Sequence, residues 1–153
     1  MSYGSAPDPL MEPFWDNARE RRLVLQQCGR CAHRHFPPTA VCPRCLSSEQ
    51  LWKAASGRGR VASMVTFHQR YWDDRPTPYA VLLVELEEGP LIMGNPLSGG
   101  PPTSIGDPVL VVFEERPDGS IVPQFAPRDD IPPNGPAPSP GGLAMRRPGA
   151  GDL

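Results

Sequence analysis

The sequence contains no run of about 18 consecutive apolar residues, so it offers no transmembrane helix of the usual length. Its first 20 residues, MSYGSAPDPLMEPFWDNARE, lack both the basic start and the apolar stretch of a secretory leader, so the chain is expected in the cytoplasm, where thiols stay reduced. Also missing is a nucleophile with a matching base. There is no G-x-S-x-G elbow, and Ser56-Gly57-Arg58-Gly59-Arg60 lacks the lysine-serine pair of a phosphate loop and precedes a strand rather than a helix. A self-sufficient enzyme is therefore not expected, and no catalytic residue is assigned.

What the chain does have is proline and glycine, 22 and 15 of 153 residues, which excludes a mostly helical protein. Seven of these prolines and five of the glycines fall within Ala126–Leu153, where large apolar side chains are scarce, so the last residues are expected to be a disordered tail. Elsewhere they mark turns: Pro37-Pro38, Gly89-Pro90, Gly106-Asp107-Pro108 and Pro117-Asp118-Gly119.

The net charge of −2 hides a division along the chain. Residues 17–60 carry nine bases against Glu20 and Glu49, while residues 61–125 carry nine acids against Arg70, Arg75 and Arg116. An anionic partner is therefore plausible for the first half alone.

All four cysteines lie within 18 residues, as Cys28-Gly-Arg-Cys31 and Cys42-Pro-Arg-Cys45. Two C-x-x-C turns at the ends of a short hairpin supply four sulfurs to one tetrahedral ion, which leaves no open position for water and makes the ion structural. Disulfides do not suit a reducing compartment, and residues 32–41 lack the βαβ context of a redox pair. An iron site of rubredoxin type would use the same ligands, but zinc is the expected cofactor. His33 and His35, alternating in a short strand, are expected to face solvent.

The periodicity predicts mainly β structure. A short helix within residues 7–21 places Phe14, Trp15 and Ala18 on one side, to pack on the ribbon or against a partner chain. Strands are expected at Leu23–Gln27 and Leu51–Lys53 around the cysteines. Five more, at Gly59–His68, Tyr79–Glu87, Leu91–Gly94, Val109–Glu114 and Ile121–Phe125, suit a small closed barrel of the OB kind. In such a barrel the Pro101–Ile105 stretch is expected to hold a helical turn. The boundaries follow as 1–22 helical segment, 23–56 zinc ribbon, 57–128 barrel and 129–153 tail, with Ser56-Gly57-Arg58-Gly59 as a linker. OB barrels bind single-stranded nucleic acid through a basic groove, and that is the alternative function, but an acidic barrel opposes a phosphate chain.

In order along the chain, Phe14-Trp15, Leu23–Cys31, Phe36-Pro37-Pro38, Cys42–Cys45, Ser56–Gly59, Leu86–Pro90, Gly94-Asn95 and Val122–Phe125 resemble the zinc-ribbon/OB-fold proteins of the DUF35 family over roughly residues 10–128. The resemblance implies a non-catalytic accessory subunit of a thiolase-like enzyme: an acyltransferase, a thiolase or a steroid side-chain retro-aldolase acting on an acyl-CoA. By the same resemblance, the basic ribbon would face the CoA phosphates, and the barrel and the Phe14-Trp15 helix would dock on the enzyme. Arg30, Arg34, His68, Tyr71 and Trp72 are the candidate acyl-CoA contacts by charge and loop position, and Phe14 and Trp15 the candidate partner contacts. Thr39 departs from the family pattern, standing where a basic residue commonly follows the double proline.

Overall fold

Pro13 presets a helical φ in the first turn, where a missing N–H costs nothing, and one helix starts there: α1, Glu12–Arg19. Glu12 in its first turn and Arg19 in its last complement the helix dipole. The computed structural model describes residues 8–71 and 76–128. Its remaining elements are β1 (Val24–Cys28), β2 (Arg34–His35), β3 (Gln50–Ala54), β4 (Arg58–Phe67), β5 (Tyr79–Leu86), β6 (Leu91–Pro96), β7 (Pro108–Glu115) and β8 (Ile121–Pro127). None of the described helices is long and apolar enough to cross a membrane.

The strands form two sheets. β1 lies between β2 and β3 in an antiparallel ribbon, with Gln26 opposite both His35 and Trp52. The other five close a barrel in the order β4-β5-β6-β8-β7, with β7 returning to β4 through Arg58–Leu110, Gly59–Val109 and Arg60–Pro108. All its pairings are antiparallel except β6 with β8. The fold is therefore mainly β: a short helix, a four-cysteine ribbon and a five-stranded OB barrel.

Inward-facing Val61, Leu82, Val84, Ile92, Val109 and Phe125 fill the barrel. Phe14 of the helix and Leu23 and Leu25 of the ribbon belong to the same apolar cluster, so the two sheets share one core. The joint between them is correspondingly tight rather than a loose linker. Gly57 is buried at φ 76°, its carbonyl accepts the Val111 N–H at 2.8 Å, and a Cβ there would lie 2.3 Å from Val111 Cγ1. Gly59 lies inside β4, where a Cβ would come within 2.5 Å of the Glu85 carbonyl oxygen.

Three expectations are corrected. Phe14 is buried at 3% exposure, because α1 packs on β1 and β8 and the ring lies against Phe36; it belongs to the chain's own core, and of the pair Trp15 alone faces solvent. His35 is buried too, its Nε2 2.9 Å from Gln50 Oε1 and its Nδ1 3.3 Å from the Pro37 carbonyl oxygen. No helical turn forms at 101–105. Pro102 disfavours the helical region for Pro101 before it, and the Asp107 carboxylate instead accepts the Ser104 N–H at 2.7 Å, fixing a turn at Ile105-Gly106. The tail at 129–153 and Trp72 lie outside the described residues.

Candidate metal centre and ribbon cleft

The two cysteine turns are built alike. In the first, the Cys28 N–H donates to the His33 carbonyl and the Ala32 N–H to the Cys28 carbonyl, both at 2.9 Å. In the second, Cys42 donates to Ser47 at 2.8 Å and Leu46 to Cys42 at 2.9 Å. The residue after each second cysteine turns left-handed, Ala32 at φ 57° and Leu46 at φ 61°. Each turn also aims a backbone N–H at sulfur, Cys31 at Cys28 Sγ (3.5 Å) and Arg44 at Cys42 Sγ (3.4 Å), which stabilises negative charge there.

These turns bring all four sulfurs within 4.8 Å of one another, with Cys28 and Cys45 3.5 Å apart and Cys31 and Cys42 3.7 Å apart. Four sulfurs placed tetrahedrally at ~2.3 Å from an ion stand about 3.8 Å from each other, so the cluster fits such an ion closely. The sulfurs are not equivalent. The Cys31 N–H leads the groups that draw the Cys28 thiol down to about 6, joined by the Arg30 N–H and the neighbouring sulfurs against the effect of burial. At Cys45 the Ser47 N–H pulls downward, but burial and the sulfurs of Cys31, Cys28 and Cys42 outweigh it and push the thiol up to about 12.

Beside the centre lies a cleft of about 680 Å³ between the first cysteine turn and the β5–β6 turn. His33, Arg34 and Arg44 line its ribbon side, and Glu88, Gly89 and Pro90 its barrel side. Arg34 is held by a 2.9 Å hydrogen bond from Nε to Gln27 Oε1. Burial of its ring, aided by the charges of His35 and Arg44, lowers the His33 pKa below the ordinary value. The floor of the joint is tied by the Ser56 N–H donating to Glu88 Oε1 at 2.6 Å.

The candidate acyl-CoA residues do not converge. Arg34 lines this cleft; Arg30 is exposed on the first cysteine turn. His68 and Tyr71 follow the far end of β4, nine residue steps from its start at the joint, or about 30 Å away. Both are exposed, and the Tyr71 ring stands edge-on to Phe67 at 5.9 Å. Thr39, for its part, is used within the ribbon, donating its N–H to Gln26 Oε1 at 2.7 Å and its hydroxyl to the Val41 carbonyl at 2.6 Å. Sequence reasoning missed Arg44, whose place inside a C-x-x-C turn hid its role as a wall, and Glu88, read there only as a turn residue.

Residues 15–51 match the family model described as "ChsH2, rubredoxin-like zinc ribbon domain", and residues 52–114 match "ChsH2, C-terminal OB-fold domain". The chain is 30% identical over 122 residues to a "DUF35 domain-containing scaffold protein" of Methanocaldococcus jannaschii, covering 74% of this chain and 86% of that one. The chain belongs to the DUF35 family. A further relative, the "3-oxo-4,17-pregnadiene-20-carboxyl-CoA hydratase alpha subunit" of Mycobacterium tuberculosis, is 34% identical over 125 residues, 75% of this chain and 40% of that one. The chain spans about two-fifths of the length of the hydratase subunits it matches. Among solved structures, a chain of the "Ltp2-ChsH2(DUF35) aldolase" superposes with a TM-score of 0.73 at 32% identity, covering 80% of this DUF35 chain and 98% of that one.

Proposed function

We propose that this chain is a non-catalytic zinc-ribbon/OB-fold subunit that seats on a thiolase-like enzyme and helps hold its acyl-CoA substrate. One observation carries the reading above the others: the likeness to a chain of an aldolase assembly extends over 98% of that chain, helix, ribbon and barrel together. The relative named as a carboxyl-CoA hydratase subunit supports the same class of partner and substrate.

In this reading the ion is zinc, held by Cys28, Cys31, Cys42 and Cys45. With four sulfurs in place it has no coordination position to offer a reactant, so what it supplies is rigidity to the ribbon. Arg34 and Arg44 take the CoA phosphates in the cleft, with Arg30 at its approach, since guanidinium groups pair phosphate in two-point contacts. His68 and Tyr71 stand too far from that cleft to touch the same phosphates. They serve the opposite end of the barrel, with Trp72 following them in sequence.

The test is co-purification. Mixed at micromolar concentration with a thiolase-like enzyme of the same organism, the chain is expected to elute as one species with that protein. Separate elution would overturn the reading. Salt-sensitive binding to a single-stranded oligonucleotide, weakening steeply as salt rises, would favour the nucleic-acid alternative.

A further inference from the structure

Beyond the ribbon cleft, the outer surface of the barrel over β4, β5 and β6 departs from the usual alternation. Strands of a small barrel place apolar residues inward and polar ones toward water. Here Val61, Val84 and Ile92 point inward as expected. The opposite parity, which should be polar, is largely apolar. Leu83 lies between Ser63 and Met93 in one row, and Val65 beside Val81 in the next. Phe67 and Tyr79 form a third row, their rings stacked at 5.1 Å. Met93 is 70% exposed, Val65 51%, and Tyr71, edge-on to Phe67, 58%.

Charge frames this surface without entering it. Arg60 opposite Glu85 closes the end nearer the ribbon. At the other end Tyr79 borders a second cleft, of about 460 Å³, whose wall carries Glu114, Glu115 and Arg116. Among the described residues, none of the three rows holds a charged side chain. In OB barrels the face of the second and third strands, flanked by the loops after the first and fourth, is the usual binding platform. In this barrel those strands are β5 and β6. A platform for nucleic acid needs cations beside its aromatic rings; this one has apolar side chains, with charge of both signs only at its borders. Contiguous exposed apolar surface of this kind marks a protein contact.

We propose that the outer face of β4–β5–β6, centred on Met93, Leu83 and Val65, is the surface by which the chain seats on its enzyme subunit. The partner meets it with an apolar patch whose rim carries charges complementary to Glu114, Glu115 and Arg116. The assignment rests on the accessory-subunit reading.

The experiment compares the wild-type chain with Met93→Asp, Val65→Asp and, as a control on the ribbon, Leu51→Asp, each at an exposed position. Unchanged metal content and melting temperature establish that the variants fold. Binding to the thiolase-like enzyme used in the co-purification is expected to weaken at least about tenfold in Met93→Asp and Val65→Asp and to hold within about twofold in Leu51→Asp. Hydrogen exchange in β5 and β6 should slow when the complex forms. A wild-type chain that fails to bind overturns the subunit reading and this assignment with it. A wild type that binds while both barrel variants bind equally well, with β5 and β6 unprotected, overturns the assignment alone. So does a wild-type chain that dimerises through this face, with Met93→Asp abolishing the dimer but leaving enzyme binding intact, or an oligonucleotide that protects β5 and β6.

Discussion

The ring of Phe14 stands 5.3 Å from that of Phe36 and inclined 48° to it, which lays the helix across the ribbon. Two residues past the helix, Arg21 donates from Nη1 to the Phe113 carbonyl at 2.8 Å and ties the same segment to the barrel. Truncating Phe14, at 3% exposure, empties a filled site, and Phe14→Ala should cost about 3–4 kcal/mol. Trp15→Ala, at 39% exposure, should cost about 1 kcal/mol or less. Urea titration of the metal-loaded protein measures both, and the reverse order would contradict the placement of the helix.

Cys31→Ser and Cys42→Ser each remove one of the four sulfurs. Metal content per chain should drop in both, and since a sheet this small folds with its ion, hydrogen-exchange protection should vanish first in β1–β3 and persist longest in β4–β8. A protected ribbon lacking metal would show that the ion is dispensable for folding.

Metal affinity should depend on pH in a defined way. Thiolates hold the ion, so protons still on sulfur must leave when it binds. Cys28 is drawn down to about 6, chiefly by the Cys31 N–H; above that pH it is already charged, and below it carries a proton the ion must displace. Apparent affinity therefore falls as pH falls, and its slope steepens by one proton per ion below about pH 6. Chelator competition between about pH 8 and about pH 5 measures this, and a slope unchanged through pH 6 would refute it.

Two positions of positive φ should respond in opposite directions. Leu46, at φ 61° and 75% exposed, bears left-handed strain with little packing in return, so Leu46→Gly should stabilise the loaded protein by about 1 kcal/mol. Gly57, at φ 76° with Val111 Cγ1 2.3 Å from where a Cβ would lie, has both reasons to stay glycine, and Gly57→Ala should cost about 3 kcal/mol. Chemical denaturation of the two variants side by side checks the pair of signs.

The features legible in the sequence are those set by neighbours along the chain. Alternation placed the first barrel strand at Gly59–His68, and β4 runs Arg58–Phe67; the C-x-x-C spacing named all four clustered sulfurs. Features set by distant residues were not legible. Phe14 is buried by a ring 22 residues on, His35 by Gln50 across the ribbon, and Arg44 becomes a cleft wall only because Glu88–Pro90 turns toward it. The missing helical turn at 101–105 had a local signal, since Pro102 disfavours a helical conformation at Pro101, but the expected barrel pattern outweighed it.

The barrel is closed between β6 and β8 by Asn95 opposite Gln124 and Pro96 opposite Phe125, with the Leu97 N–H donating to the Phe125 carbonyl at 2.9 Å just beyond. Even there the Asn95 N–H goes to the Gln124 side chain, at 3.1 Å. A cylinder whose other staves are joined over longer ladders gives way along its shortest seam. The second cleft, which has Asn95 on one lip and Gln124 on the other, therefore lies directly over this short seam of the barrel.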